Sequence, residues 1–97
     1  MKGKIAGINT YENKTHIRIM VDKTTQKNYN KFRQELIDKL NVTKRGYGGY
    51  TEILGKGIDI NVLKRDDYVH LIIYANKEIR AKILKFLLLY FEFVENN

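Results

Sequence analysis

Cysteine, proline, serine and tryptophan are all missing from this 97-residue chain. Without cysteine there is no disulfide, thiolate metal site or cysteine nucleophile. Without serine, neither of the two histidines, His16 and His70, can serve a serine nucleophile. No long apolar run is present either: the longest, Phe86 to Phe91, spans six residues, against the roughly 20 that a membrane-crossing helix needs. No apolar leader follows Met1, because Lys2, Lys4, Glu12 and Lys14 interrupt the first 15 residues. These absences set the expectation of a cytoplasmic protein with no membrane contact and no cofactor.

Positive charge is plentiful and uneven. The chain holds 18 Lys and Arg against 11 Asp and Glu, a formal net charge of +7. Residues 1–45 carry 11 of the basic residues and 4 of the acids, whereas residues 46–97 carry seven of each. The whole excess therefore lies ahead of the glycine- and tyrosine-rich segment Gly46-Tyr47-Gly48-Gly49-Tyr50. An excess so placed points to a polyanionic partner, most often nucleic acid.

A chain of this length makes one domain, residues 1–97. Lys4–Asn9 and Thr15–Asp22 read as a hairpin, with Ile17, Ile19 and Val21 alternating against His16, Arg18 and Met20 in the period of a half-buried strand. Thr24 or Thr25 opens a helix to about Asn41, whose apolar face is Tyr29, Phe32, Leu36, Ile37 and Leu40. A loop over 43–49, a short strand at Tyr50–Leu54, and strands at Ile58–Val62 and Val69–Tyr74 follow. Val69–Tyr74 is nearly continuous in apolar residues and is expected to be covered on both faces. Asn76 caps a final helix from Lys77 to about Glu95. The expectation is an α+β two-layer sandwich, an antiparallel sheet with two helices on one face, in the order ββαβ(β)βα.

The final helix carries more apolar surface than one sheet face can cover. Ile79, Ile83, Phe86, Leu87, Tyr90, Phe93 and Val94 form one stripe, and Leu84, Leu88 and Phe91 form a second. That second stripe is either intramolecular core or the interface of a homodimer.

The candidate binding residues follow from the charge pattern. Lys44 and Arg45 supply phosphate contacts, the glycines let a backbone approach, and Tyr47 and Tyr50 offer faces for stacking unpaired bases. Tyr50 also opens a strand and is the one expected to pack, leaving Lys44, Arg45 and Tyr47 as the outward set. Arg18, Lys77, Arg80 and Lys82 extend the phosphate contacts, with Lys77 and Arg80 in the first turn of the last helix. The segment from the first helix on, ending in Asn76-Lys77-Glu78-Ile79-Arg80, faintly resembles the double-stranded-RNA-binding domain in its α-β-β-β-α order. It departs from that family in the apolar strand His70–Tyr74 and in the extra N-terminal hairpin. RNA or single-stranded DNA is the expected ligand, since no helix shows a base-reading pattern for duplex DNA. A protein-interaction module working through the last helix is the alternative reading. A metal-dependent nuclease built from Glu52, Asp59, Asp66 and Asp67 with Lys64 is the least supported, because Asp66-Asp67 reads as a hairpin tip and Asp59 as facing solvent, across from Ile58 and Ile60. Enzymatic activity is not expected.

Overall fold

A computed structural model describes residues 1–94, except for the side chain of Tyr47. Its elements are β1 (Gly3–Thr10), β2 (Lys14–Met20), α1 (Thr25–Leu40), β3 (Thr43–Tyr47), β4 (Tyr50–Gly55), β5 (Ile58–Lys64), β6 (Tyr68–Tyr74), α2 (Lys77–Leu87) and β7 (Phe91–Phe93). The fold is α+β, with seven strands in one mixed sheet ordered β3-β4-β5-β6-β2-β1-β7. Every neighbouring pair is antiparallel except β1 and β7, which run parallel.

Two strands beyond the expected ββαβ(β)βα order account for the difference. β3 occupies the segment expected to be a loop, pairing Tyr47 with Tyr50 across the Gly48-Gly49 turn. Its residues Thr43, Lys44, Arg45 and Gly46 are all exposed, so no apolar alternation marked it as a strand. Gly48 takes a positive φ of 72°, which glycine adopts without steric cost. The resemblance noted above also weakens, because four strands now separate the helices.

β7 replaces the second half of the expected last helix. α2 ends at Leu87, and the chain turns through Leu89 N–H to Phe86 C=O and Tyr90 N–H to Leu87 C=O, 3.2 and 3.0 Å. Phe91 then lies beside Gly3, completely buried. A Cβ on Gly3 would stand 2.5 Å from the Phe91 ring, so the missing side chain is what admits the ring. From Ile83 onward the sequence is nearly all apolar, and such a run carries no period to distinguish helix from strand. Glu95, the expected helix end, lies outside the described residues.

One face of the sheet carries the core. Ile5, Ile17, Ile19, Ile53, Ile60, Val62, Leu71 and Ile73 point to the side covered by Tyr29, Phe32 and Leu36 of α1 and by Ile83 and Leu87 of α2. α1 stops at Asn41, which adopts the left-handed conformation with φ 53°, as expected of a helix C-terminus. Asn76 caps α2 as expected, its Oδ1 accepting from Ile79 N–H at 2.8 Å.

Candidate nucleic-acid interface

The other face of the sheet has no cover among the described residues. The strand period dictates which side chains stand there: Lys14, His16, Arg18 and Met20 of β2, Tyr68, His70, Ile72 and Tyr74 of β6, Asp59, Asn61 and Leu63 of β5, Tyr50 and Glu52 of β4, and Arg45 of β3. On β2, β5 and β6 each alternates with a buried residue, so the same period that fills the core lays out this face. Val69–Tyr74 is therefore open on one side, contrary to the expectation of cover on both. The central position of β6 gives it its apolar residues, while Tyr68, His70, Ile72 and Tyr74 alternate outward.

Register brings β2 and β6 into one row, with Lys14 opposite Tyr74, His16 opposite Ile72, Arg18 opposite His70 and Met20 opposite Tyr68. Arg18 lies across the sheet, its guanidinium carbon 5.4 Å from the Tyr68 ring centre. Gly7 leaves room for it, since a Cβ there would come within 2.6 Å of an Arg18 terminal nitrogen. A guanidinium held over an aromatic ring retains donors for a phosphate. His16 Nε2 and His70 Nδ1 share a hydrogen bond at 2.9 Å. Burial against the sheet, and then the charges of His70, Arg18 and Lys14, hold His16 below the ordinary imidazole value. Tyr74 and Tyr50 are 37% and 45% exposed, and the Tyr50 hydroxyl donates to Asn61 Oδ1 at 2.7 Å.

Charge divides this face. Cations and histidines stand on β2 and β6, the two acids stand on β4 and β5, and Arg45 stands beyond them on β3. Glu52 meets Arg45 at 3.5 Å across the β3–β4 pair, and Asp59 has one carboxylate oxygen buried without a hydrogen-bond partner among the described residues.

The expected site residues are scattered by the fold. Arg18, Arg45 and Tyr50 share the open face, and Tyr50, expected to pack, is exposed there. Lys44 stands opposite Ile53, in the row that faces the helices. The side chain of Tyr47 lies outside the described residues. Lys77 and Lys82 are exposed on α2, on the helical side, and Lys82 flanks the interhelical cleft with Lys39, Lys85 and Phe86.

Arg80 has a different task. It is 5% exposed, and its terminal nitrogens donate to the carbonyls of Tyr11, Lys14 and Glu12, each at 2.8 Å, and to Thr15 Oγ1 at 3.2 Å. It ties α2 to the β1–β2 turn and is not presented to a phosphate. Phe91 likewise leaves the expected dimer stripe for the core, so Leu84 and Leu88, both half-buried, no longer continue into a helical interface. Tyr68, Tyr74, His16 and His70 are the residues that sequence reasoning passed over. Their signal was the Tyr68-x-His70-x-Ile72-x-Tyr74 alternation within an apolar run.

No family model, curated protein or solved structure matches this chain. Among the described residues no group of three or more His, Cys, Asp or Glu side chains is placed to hold a metal ion. None of the described helices is long and apolar enough to cross a membrane.

Proposed function

We propose that the chain is a small non-enzymatic protein that binds single-stranded nucleic acid, RNA or DNA, on the open face of its sheet. The observation that supports this most directly is the β2–β6 row, where Tyr68 and Tyr74 of β6 stand beside Arg18 and Lys14 of β2 on an otherwise uncovered surface. Tyr68 and Tyr74 lie six residues apart on one strand, about 20 Å, a span over which several bases can stack while Arg18 and Lys14 meet phosphates. The net charge of +7 favours encounter with any polyanion, and the aromatic faces favour unpaired bases over a duplex. The acids on β4 and β5 confine the path to the β2–β6 side. A cytoplasmic setting belongs to the same proposal.

Fluorescence anisotropy with short single- and double-stranded oligonucleotides at two salt concentrations tests it. The single strand should bind more tightly, with a salt slope of about −0.7 per neutralised phosphate. Tyr68→Ala and Tyr74→Ala should each weaken binding by about 1–3 kcal/mol if a base stacks there. Equal affinity for duplex, or binding indifferent to both substitutions, would overturn the reading.

A further inference from the structure

The open face contains a recess of about 220 Å³ lined by His16, Leu63, Arg65, His70 and Ile72. Its floor is apolar, from Leu63 and Ile72. Its polar groups are two imidazoles from adjacent strands and a guanidinium from the β5–β6 turn. These are the only two histidines in the chain, and they face each other at hydrogen-bond distance. In that bond one ring nitrogen donates and the other accepts, so the pair as seen cannot carry two imidazolium charges. One added proton keeps the bond; a second makes both nitrogens donors and frees the rings to turn outward.

The charged and titratable surroundings are one-sided. Lys14 and Arg18 of β2 and Arg65 of the turn are cationic, and Tyr68 and Tyr74 of β6 are neutral phenols. β1 contributes Gly7 and Asn9, and β5 contributes Asn61 beside Leu63. The acids of the neighbourhood stand away from the pair. Asp59 is four residues along β5 from Leu63, about 13 Å, and Asp66 and Asp67 are exposed in the turn. Glu52, on β4, is engaged with Arg45. The charges that act on His16 come from His70, Arg18 and Lys14, and all disfavour its protonation. An anion in the recess reverses that balance, since it would neutralise the cations and accept from both imidazolium rings.

We infer that this recess is a phosphate-binding subsite in which the His16–His70 pair takes up at least one proton as the phosphate arrives. The inference rests on the nucleic-acid reading and makes polyanion binding on this face tighten as the medium becomes mildly acid. Lysine and arginine contacts do not change charge in that range, so the effect is assigned to the histidines. The phosphate is either an internal phosphodiester or a terminal phosphate.

The test is the affinity of 3′-labelled oligothymidylate, with and without a 5′-phosphate, from about pH 8 to about pH 5.5 at constant ionic strength. Each proton taken up contributes at most about tenfold per pH unit. With the oligonucleotide lacking a terminal phosphate, whose internal phosphodiesters keep their charge throughout, wild type should tighten several-fold toward acid pH, and His16→Gln with His70→Gln should bind with no pH dependence. Calorimetry in buffers of differing ionisation heat should show proton uptake by wild type alone. The 5′-phosphate itself loses charge toward acid pH, so the sources are told apart by the difference between wild type and the double variant: a larger difference with the 5′-phosphate identifies the terminal group, and an equal one the internal group. Should the double variant misfold, Arg65→Gln on the exposed turn should reduce both the affinity gain and the proton uptake.

Oligonucleotide binding that is indifferent to pH and releases or takes up no proton would overturn the subsite and leave the nucleic-acid reading intact. Absence of oligonucleotide binding would sink that reading instead. In that event inorganic phosphate decides the subsite: phosphate-induced shifts of the His16 and His70 ring resonances sustain it, and unmoved resonances overturn it.

Discussion

Arg80 is a charged side chain that the fold has turned inward. Its guanidinium meets three carbonyls and a hydroxyl of the β1–β2 turn, and no described carboxylate pairs with it. Charge-assisted bonds to carbonyls stand in for the lost water. Arg80→Gln should cost about 2 kcal/mol in urea unfolding, because it removes the charge-assisted bonds to three carbonyls that tie α2 to the β1–β2 turn. The same substitution should leave oligonucleotide affinity unchanged at temperatures where the protein stays folded. A phosphate contact would show the opposite pattern. Gly3 illustrates the converse, a residue that matters for what it lacks. Gly3→Ala drives a methyl into the Phe91 ring, and thermal unfolding should report a loss of about 1–3 kcal/mol from overpacking. Phe91→Ala should cost more, about 3–5 kcal/mol. Neither role is visible along the chain, since each depends on a partner 65 or more residues away.

At the scale of elements, the clearest features were those with their own period. α1 was legible from Tyr29, Phe32 and Leu36, and β2 and β5 from their alternation, because burial on one side of a regular element leaves a repeating trace; β6 was legible as a strand from its apolar run, which hid its open side. β3 left no such trace. It is an edge strand with an exposed row on each side, and its lysine and arginine guard an edge against pairing with another chain. Replacing Lys44 and Arg45 together by valine should keep the fold but promote association, measured by light scattering at rising concentration. If these residues instead hold nucleic acid, the double variant should stay monodisperse and lose oligonucleotide affinity. β7 was misread for a different reason. A wholly apolar run satisfies a helix and a buried strand equally, and only the empty space over Gly3 resolves it.

The whole molecule is a sheet with one dry face and one open face. His16 and His70 stand on the open one and couple β2 to β6 at the centre of the sheet. In the unfolded chain His16 titrates near 6.5, and in the fold its value is lower. As pH falls through 6.5 the unfolded state therefore binds a proton that the folded state resists. The contribution of this residue is fully present above that pH and is lost as the pH falls toward the folded value. Denaturant midpoints should drop on acidification from neutral pH, and His16→Gln should flatten that part of the profile. A bound polyanion should blunt the drop too, since it favours the imidazolium in the folded state.

Composition alone settled the exclusions, since cysteine and serine chemistry are impossible, and the order of charges put the net positive excess in residues 1–45. Strand and helix periods settled which residues meet the core, because burial repeats with the geometry of the element. Partners across the sheet were a tertiary decision. Register set His16 against His70 and Arg18 over Tyr68, and packing drew Arg80 and Phe91 inside. A period says which side of a strand a residue faces, but only pairing between distant strands decides what it faces there.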